Sequence, residues 1–504
     1  MKSSTEDSAP ELILEVADEH TVEILDDLQW IKKVTKDLNE CPEKTEGPWP
    51  CTIFKVPEDI RQGDTKVYDP LVVTIGPYHY CQSKDRTVLA MQDHKWQCVR
   101  RLLSRHTKSR RKATDLLGKC LMILKELDAH VRSSYSDNLH HLTPHDLALI
   151  MLLDGCFIIH ILLKFNEGGS DLRKMIMLDE NDDGDDDEEE DIAAGHRDMV
   201  VLDIMGEKQM DLRVVGVWRV GTMMLYDMVK LENQIPFIII QTLFNELKTP
   251  RDEDMNLVKI AYRLLSYIHP SPSQRGITIV PHDLPQSDQV HHLLHLFHST
   301  IVPSSDCLEI NSTEQEMDYQ WIPSVTELKL AGVKFVERKA SVSNFLDISF
   351  KNGTIEIPPL VLYDSSNTLF RNLIAFEQCY KHTKNYLTAY AFFMDYMIRT
   401  PKDVELLELK GILINELGTA EAAASFVNQL CYQIHDPGNS YLQGSIQGVK
   451  SYYKSKWHKL RARFMRDYFD NPLAAVSLVA ALILLLLTVE QSFFAAYSYF
   501  CPPN

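Results

Sequence analysis

From Leu473 to Val489 the chain runs through 17 consecutive uncharged residues, LAAVSLVAALILLLLTV, interrupted only by the hydroxyls of Ser477 and Thr488. No other feature limits the fold as much. A helix that is apolar on every side leaves no face for water, so it must lie inside a large core or in lipid. At about 1.5 Å per residue the run is roughly 25 Å long, slightly less than a hydrocarbon layer of roughly 30 Å. Continuing through Glu490 and Gln491 to Phe493, Phe494 and Tyr497 adds length and supplies aromatic rings suited to a membrane interface. Both hydroxyls can bond back to carbonyls of their own helix.

The flanks favour lipid. Lys454, Lys456, Lys459, Arg461, Arg463 and Arg466 precede the run together with Trp457, Tyr468 and Phe469, and no basic residue follows it. That bias directs the preceding body toward the cytosol. Buried core helices rarely continue so long without a polar position, so the sequence predicts a membrane span over 471–494, crossing from Leu473 through Leu485 to Phe494, with 495–504 as a short tail. The chain reads as a single-pass, C-terminally anchored protein.

The membrane character is local. An apolar fraction of 45% and a charged fraction of 24% over 504 residues describe an ordinary folded body. Of the formal charge of −19, the segment DENDDGDDDEEED at 179–191 contributes eleven carboxylates, which leaves −8 for the rest. A mild acidic excess argues against a nucleic-acid surface, which needs a basic stripe. Ten cysteines are scattered without a CxxC pair, a pattern of reduced thiols rather than of zinc modules or a disulfide framework. The start, MKSSTEDSAPELILEV, carries acids where a signal peptide needs an apolar run.

Residues 1–48 read as a polar tail containing one amphipathic helix, marked by Val22, Leu25, Leu28, Ile31, Val34 and Leu38. The body spans 49–470. It opens with extended segments and turns at 53–80, then a helix marked by Leu117, Leu121, Leu124, Leu127 and Val131, then an apolar helix from Leu147 to Leu163 entered through Thr143 and Pro144. An acidic insertion at 167–198 lacks hydrophobic periodicity and is expected to be disordered. In GVWRVGTMMLYDMVKLENQIPFIIIQTLF a helix, a proline break and a second helix are expected, and a loose stretch at 270–289 follows. In FLDISFKNGTIEIPPLVL, residues Leu346, Ile348 and Phe350 alternate before Asn352-Gly353, and Ile355 and Ile357 after it, which predicts a hairpin. From Leu369 to Phe469 helices are expected throughout. The fold class is mainly α with a small β-hairpin element.

Several blocks, in order, resemble the plant family called domain of unknown function 247. They are VPEDIR with YDPLVVTIGPYHY, MLLDGCFIIHILL, LENQIPF, FLDISFKNGTIEIPPL, FRNLIAFEQC and YFDNPLAAVSLVAALILLLLTVEQ. The resemblance covers nearly all of the chain from residue 50. It implies a plant protein with a helical body and one C-terminal membrane helix, and it implies no established reaction. Some grass members of that family are implicated as pollen-side determinants of self-incompatibility. The acidic insertion departs from the family pattern.

Few residues suggest chemistry. His291, His295 and His298 in HHLLHLFH fall at i, i+4 and i+7 and could hold a metal on one helical face, although the polar side of an amphipathic helix gives the same spacing. Cys156 and His160 form an i, i+4 pair beside Asp154, inside a stretch where burial is the simpler explanation. Glu232, Asn233 and Gln234 precede Pro236, which interrupts a helix, so these side chains are expected to serve freed backbone groups. The basic cluster Arg100, Arg101, Arg105, Lys108, Arg110, Arg111 and Lys112 suits an anionic leaflet or an acidic partner. GxGxxG, a Walker lysine loop, HExxH and GxSxG are absent; GSIQG at 444–448 has its serine in the wrong place. Asn311 and Asn352 sit in glycosylation sequons.

The expectation is therefore a non-enzymatic membrane protein acting in recognition or signalling through an unidentified protein partner, without cofactor or nucleic acid, and held in the bilayer by 473–494. The alternative is a membrane-bound metal-dependent enzyme built on the three histidines.

Overall fold

The computed structural model describes residues 29–36, 49–80, 86–167, 217–275, 284–305, 307–308, 322–338, 344–436, 440–469 and 472–500. The acidic segment at 179–191 and the Asn311 sequon lie outside the described residues. The chain divides into two compact units, 1–50 and 51–504. In the first, residues 29–36 are helical with exposed side chains; the remainder of the expected helix from Val22 to Leu38 lies outside the described residues.

The second unit is mainly helical. Its helices of seven or more residues are α1 Arg86–His106, α2 Arg110–Glu126, α3 Pro144–Glu167, α4 Val217–Asp227, α5 Phe237–Leu247, α6 Leu257–Leu265, α7 Leu293–Thr300, α8 Val325–Ala331, α9 Ser366–Cys379, α10 Tyr386–Met397, α11 Pro401–Glu408, α12 Ala420–Leu430, α13 Gln443–Lys454, α14 Lys456–Phe469 and α15 Pro472–Phe500. The centre of the first half is α3. Its apolar residues occupy every side of the helix, and 17 of its 24 residues are buried under α1, α2, α5 and α6. Thr143 begins it as expected: its Oγ1 accepts from Asp146 N, and the Asp146 carboxylate accepts from Thr143 N at 3.1 Å.

The expected helix through Leu117 and Val131 is broken instead at Leu127, where ψ is 3°, and a short helical turn Asp128–Ser133 follows. The LENQIPF region behaves as the proline requires. Helix α4 stops at Asp227 and α5 starts at Phe237, immediately after Pro236.

The strands are β1 Lys334–Glu337, β2 Ser349–Lys351, β3 Thr354–Ile357, β4 Leu360–Leu362 and β5 Leu413–Asn415. The hairpin is β2–β3, with Phe350 opposite Ile355. Asn352 and Gly353 both take positive φ, 50° and 77°, the primed turn that the Asn-Gly pair favours. Two features go beyond the sequence expectation. Strand β1 adds to β3 in parallel, and β5 pairs in parallel with β4 inside a region expected to be all helix.

Helix α15 runs for 29 residues, about 43 Å at 1.5 Å per residue, and continues past the expected end at Phe494 to Phe500. Every described side chain along it is exposed. Among the described residues, two helices are long and apolar enough to cross a membrane, and they differ in burial: α3 is enclosed by protein and the stretch Val479–Tyr497 is not.

Candidate functional site

Residues 71–76 belong to no helix or strand, so their backbone donors need other acceptors. Buried side chains supply them. The Asp227 carboxylate, at the end of α4, accepts from the amides of Leu71, Val72 and Val73 at 2.7–3.1 Å. Asn233 accepts from Ile75 N at 2.6 Å and donates to the carbonyls of Val73 and Asp227 at 2.9 Å. Asp154, from the middle of α3, accepts from Gly76 N at 2.7 Å, while Lys95 of α1 donates to Thr74 O at 2.6 Å and pairs with Asp154. Each buried amide left unpaired would cost about 1–3 kcal/mol, so these contacts set the path of the segment.

The same centre uses the rest of LENQ. Glu232 accepts from Val56 N at 2.8 Å and meets Arg61 at 2.7 Å. Gln234 donates to the carbonyls of Met228 and Lys230, both at 2.8 Å, which belong to the interrupted helical region, and accepts from Leu294 N at 3.1 Å. Tyr135 closes the arrangement by donating to Gln234 O at 2.9 Å. Gly76 is needed where it stands. Its φ is +79°, and a Cβ there would lie 2.3 Å from Gln234 O. Thus VPEDIR, YDPLVVTIGPYHY, MLLDGCFIIHILL and LENQIPF, far apart in sequence, meet at one buried polar centre. The contacts named here hold the fold, while the buried His79 Nε2 and the Tyr68 hydroxyl of the same blocks make no hydrogen bond among the described residues.

The three histidines do not share one helical face. Helix α7 begins at Leu293, because the side chain of His292 accepts from His295 N at 3.1 Å and takes the N-cap position. His291 is therefore outside the helix and stacks on His295, ring centroids 4.5 Å apart. Their nitrogens are engaged within the protein. His291 Nε2 lies 3.1 Å from the Tyr380 hydroxyl, His295 Nδ1 accepts from His291 N at 3.1 Å, and His298 Nε2 lies 2.8 Å from Glu377. The Glu377 carboxylate also accepts the amides of Leu387 and Thr388, capping the start of α10. Burial lowers the His291 and His292 pKa values, and burial followed by the neighbouring His291 and His298 pushes His295 down to about 3. Burial therefore favours the neutral form of His291, His292 and His295. Among the described residues, no three His, Cys, Asp or Glu side chains are grouped closely enough to hold a metal ion.

Cys156 and His160 are both buried in α3, and full burial pushes the Cys156 thiol well above its ordinary value, the opposite of an activated nucleophile. The basic cluster divides. Arg101 turns toward His160 at 3.5 Å, and Arg105 pairs with Asp252 at 3.0 Å, whereas Arg100, Lys108 and Arg110 line an open groove of about 880 Å³. Trp96 also lines that groove and was not singled out by sequence; its place four residues before Arg100, on the same helical face, is the signal that could have found it.

The expected span residues lie on α15. Leu485 and Phe494 are 60% and 58% exposed, and Leu473 falls in the first turn of the helix. Thr488 donates to Leu485 O at 2.7 Å, so its hydroxyl is satisfied within the helix. The exposed Val, Leu, Ile and Phe side chains form an apolar surface with no protein against it. Such a surface calls for lipid or a partner.

Known proteins resemble the whole arrangement. A family model described as a plant protein of unknown function matches residues 53–487. UPF0481 protein At3g47200 of Arabidopsis thaliana is 27% identical over 473 residues, covering 90% of this chain and 88% of that protein. Putative UPF0481 protein At3g02645 of Arabidopsis thaliana is 22% identical over 520 residues, covering 94% and 96%. No solved structure matches. With the family model spanning the body, its polar centre and most of the apolar helix, the chain belongs to the plant family domain of unknown function 247.

Proposed function

We propose that this is a single-pass membrane protein that works by recognition or signalling rather than catalysis, with α15 in the bilayer and the helical body on the cytosolic side. The observation that carries the reading is the apolar surface of α15, exposed from Val476 to Tyr497. Support comes also from the way the body spends its buried polar groups. Asp154, Asp227, Glu232, Asn233, Gln234 and Glu377 all satisfy backbone or ion-pair partners. The pollen self-recognition attached to some grass members of the family is the narrowest form of this reading, and the partner would be another protein.

The orientation has a direct test. Asn352 is exposed at the tip of the β2–β3 turn, within Asn352-Gly353-Thr354. Protease protection of terminal tags on isolated membranes, combined with glycosidase treatment, should show a digestible body without glycans. A glycan on Asn352 or Asn311 would reverse the topology. The competing reading, a metal-dependent enzyme on His291, His295 and His298, has a separate check. Stoichiometric metal in the purified protein, lost when the three are changed to alanine, would favour it over recognition.

A further inference from the structure

We propose that the groove between the C-terminal half of α1 and the first turn of α2 is a contact site for anionic phospholipid headgroups, a site that rests on the membrane reading above. Residues 100–112 contain seven Lys and Arg side chains, and the structure sorts them. Arg101 and Arg105 turn to partners within the protein. The other five, Arg100, Lys108, Arg110, Arg111 and Lys112, are exposed, and none has an ion-pair partner among the described residues. By contrast Lys119, further along α2, is matched by Glu246. Of these five, Arg100, Lys108 and Arg110 line the groove together with one acid, Asp93, and Arg111 and Lys112 follow in the first turn of α2.

Two further features narrow the ligand. The groove is amphipathic. Leu103 and Leu117 lie beside Arg100, Lys108 and Arg110, and Trp96 is 48% exposed at its edge, an indole suited to a membrane interface. The start of α2 is also electrostatically uncompensated: its first turn contains no acid, Ser109 makes no side-chain cap, and Arg110, Arg111 and Lys112 add positive charge to the positive end of the helix dipole. A phosphate-bearing headgroup supplies the missing negative charge while its glycerol and acyl parts meet the apolar lining. A nucleic acid fits poorly, because the rest of the chain is net acidic and the groove is a single short cationic surface rather than a long stripe. Each basic residue at an anionic surface contributes about 5-fold to the affinity for the leaflet.

The test uses the full chain inserted in nanodiscs of phosphatidylcholine alone, of phosphatidylcholine with phosphatidylserine, and of phosphatidylcholine alone with inorganic phosphate added. Amide hydrogen exchange is read across residues 96–113. Slower exchange in the phosphatidylserine discs alone, reversed by high salt and abolished by combining Arg100→Gln, Lys108→Gln and Arg110→Gln, is the expected result. Equal exchange in all three preparations overturns the site, as does equal slowing by inorganic phosphate in neutral discs, which assigns the groove to a soluble ligand. The unmodified chain alone decides between these outcomes, so the test survives a variant that does not fold. Failure to insert even in neutral discs removes the membrane reading and the site with it, whereas insertion without lipid-dependent slowing removes the site alone.

Discussion

Helices α3 and α15 are both long and apolar enough to cross a membrane, and the structure gives them opposite surroundings. Helix α3 is covered by four other helices, and its buried charged residue, Asp154, meets Lys95 and Gly76 N. Helix α15 has its described side chains exposed, and the hydroxyl of Thr488 is satisfied within the helix itself. Hydrophobic length alone therefore does not place a helix. The core helix carries a charge matched by specific neighbours, whereas α15 satisfies its Thr488 hydroxyl by itself and carries its one acid, Glu490, only after the uncharged run has ended.

The largest expected effect comes from putting a charge on each helix. Ile158→Arg buries an unpaired cation in α3 and should cost more than about 5 kcal/mol, leaving no cooperative unfolding transition. Leu485→Arg should leave the melting of the body unchanged and weaken membrane insertion by about 2.5–3.5 kcal/mol. Equal loss of folding in both variants would break the distinction between the two helices.

The matched charge on α3 gives the next effect. Asp154→Ala leaves Lys95, which is 2% exposed, without its carboxylate and should destabilise by about 3–5 kcal/mol by denaturant unfolding. Combining Lys95→Met with Asp154→Leu should recover part of that loss, although Thr74 O and Gly76 N then lack partners. Gly76→Ala tests the same centre from the backbone side, and the φ of +79° together with the close Gln234 carbonyl sets a cost of at least about 1–3 kcal/mol.

Near neutral pH the smallest effect is a pH dependence confined to the body. Burial lowers the pKa of His295 in the folded state, so the unfolded chain takes up the proton first as pH falls. Stability is full above 6.5 and declines from there toward about 3. His295→Gln should flatten that slope in thermal melts while the membrane behaviour of α15 stays the same. An unchanged slope would show that His295 titrates normally.

What was legible in the sequence depended on the range of the interaction. The hairpin could be read because Asn352-Gly353 states its own turn, and α3 because Thr143 and Pro144 mark its start. Gln234 could be read as a partner for a proline-interrupted helix because both lie in one short block. The pairing of Asp227 with the amides of Leu71, Val72 and Val73 could not, since the partners are separated by 154–156 residues and Asp227 alone carries no local signal. Strand β5 was hidden for a related reason. It is three residues long, set between Gly411 and Gly418, both of which take positive φ, and its partner β4 is far away in sequence. The histidine face failed because a histidine, rarely an N-cap, occupies that position and starts α7 two residues after His291. Of the basic cluster, the charge was visible, but which cations stay unpaired depends on Asp252 and His160, distant in sequence.

The central claim is that the body folds around α3 without help from α15 and that α15 holds it in the membrane. Alkaline carbonate extraction of isolated membranes, comparing the full chain with a chain ending at Phe469, tests it most directly. The full chain should stay in the membrane pellet, and the shortened chain should be released as a soluble protein that melts cooperatively. Release of the full chain, or aggregation of the shortened one, would contradict the account.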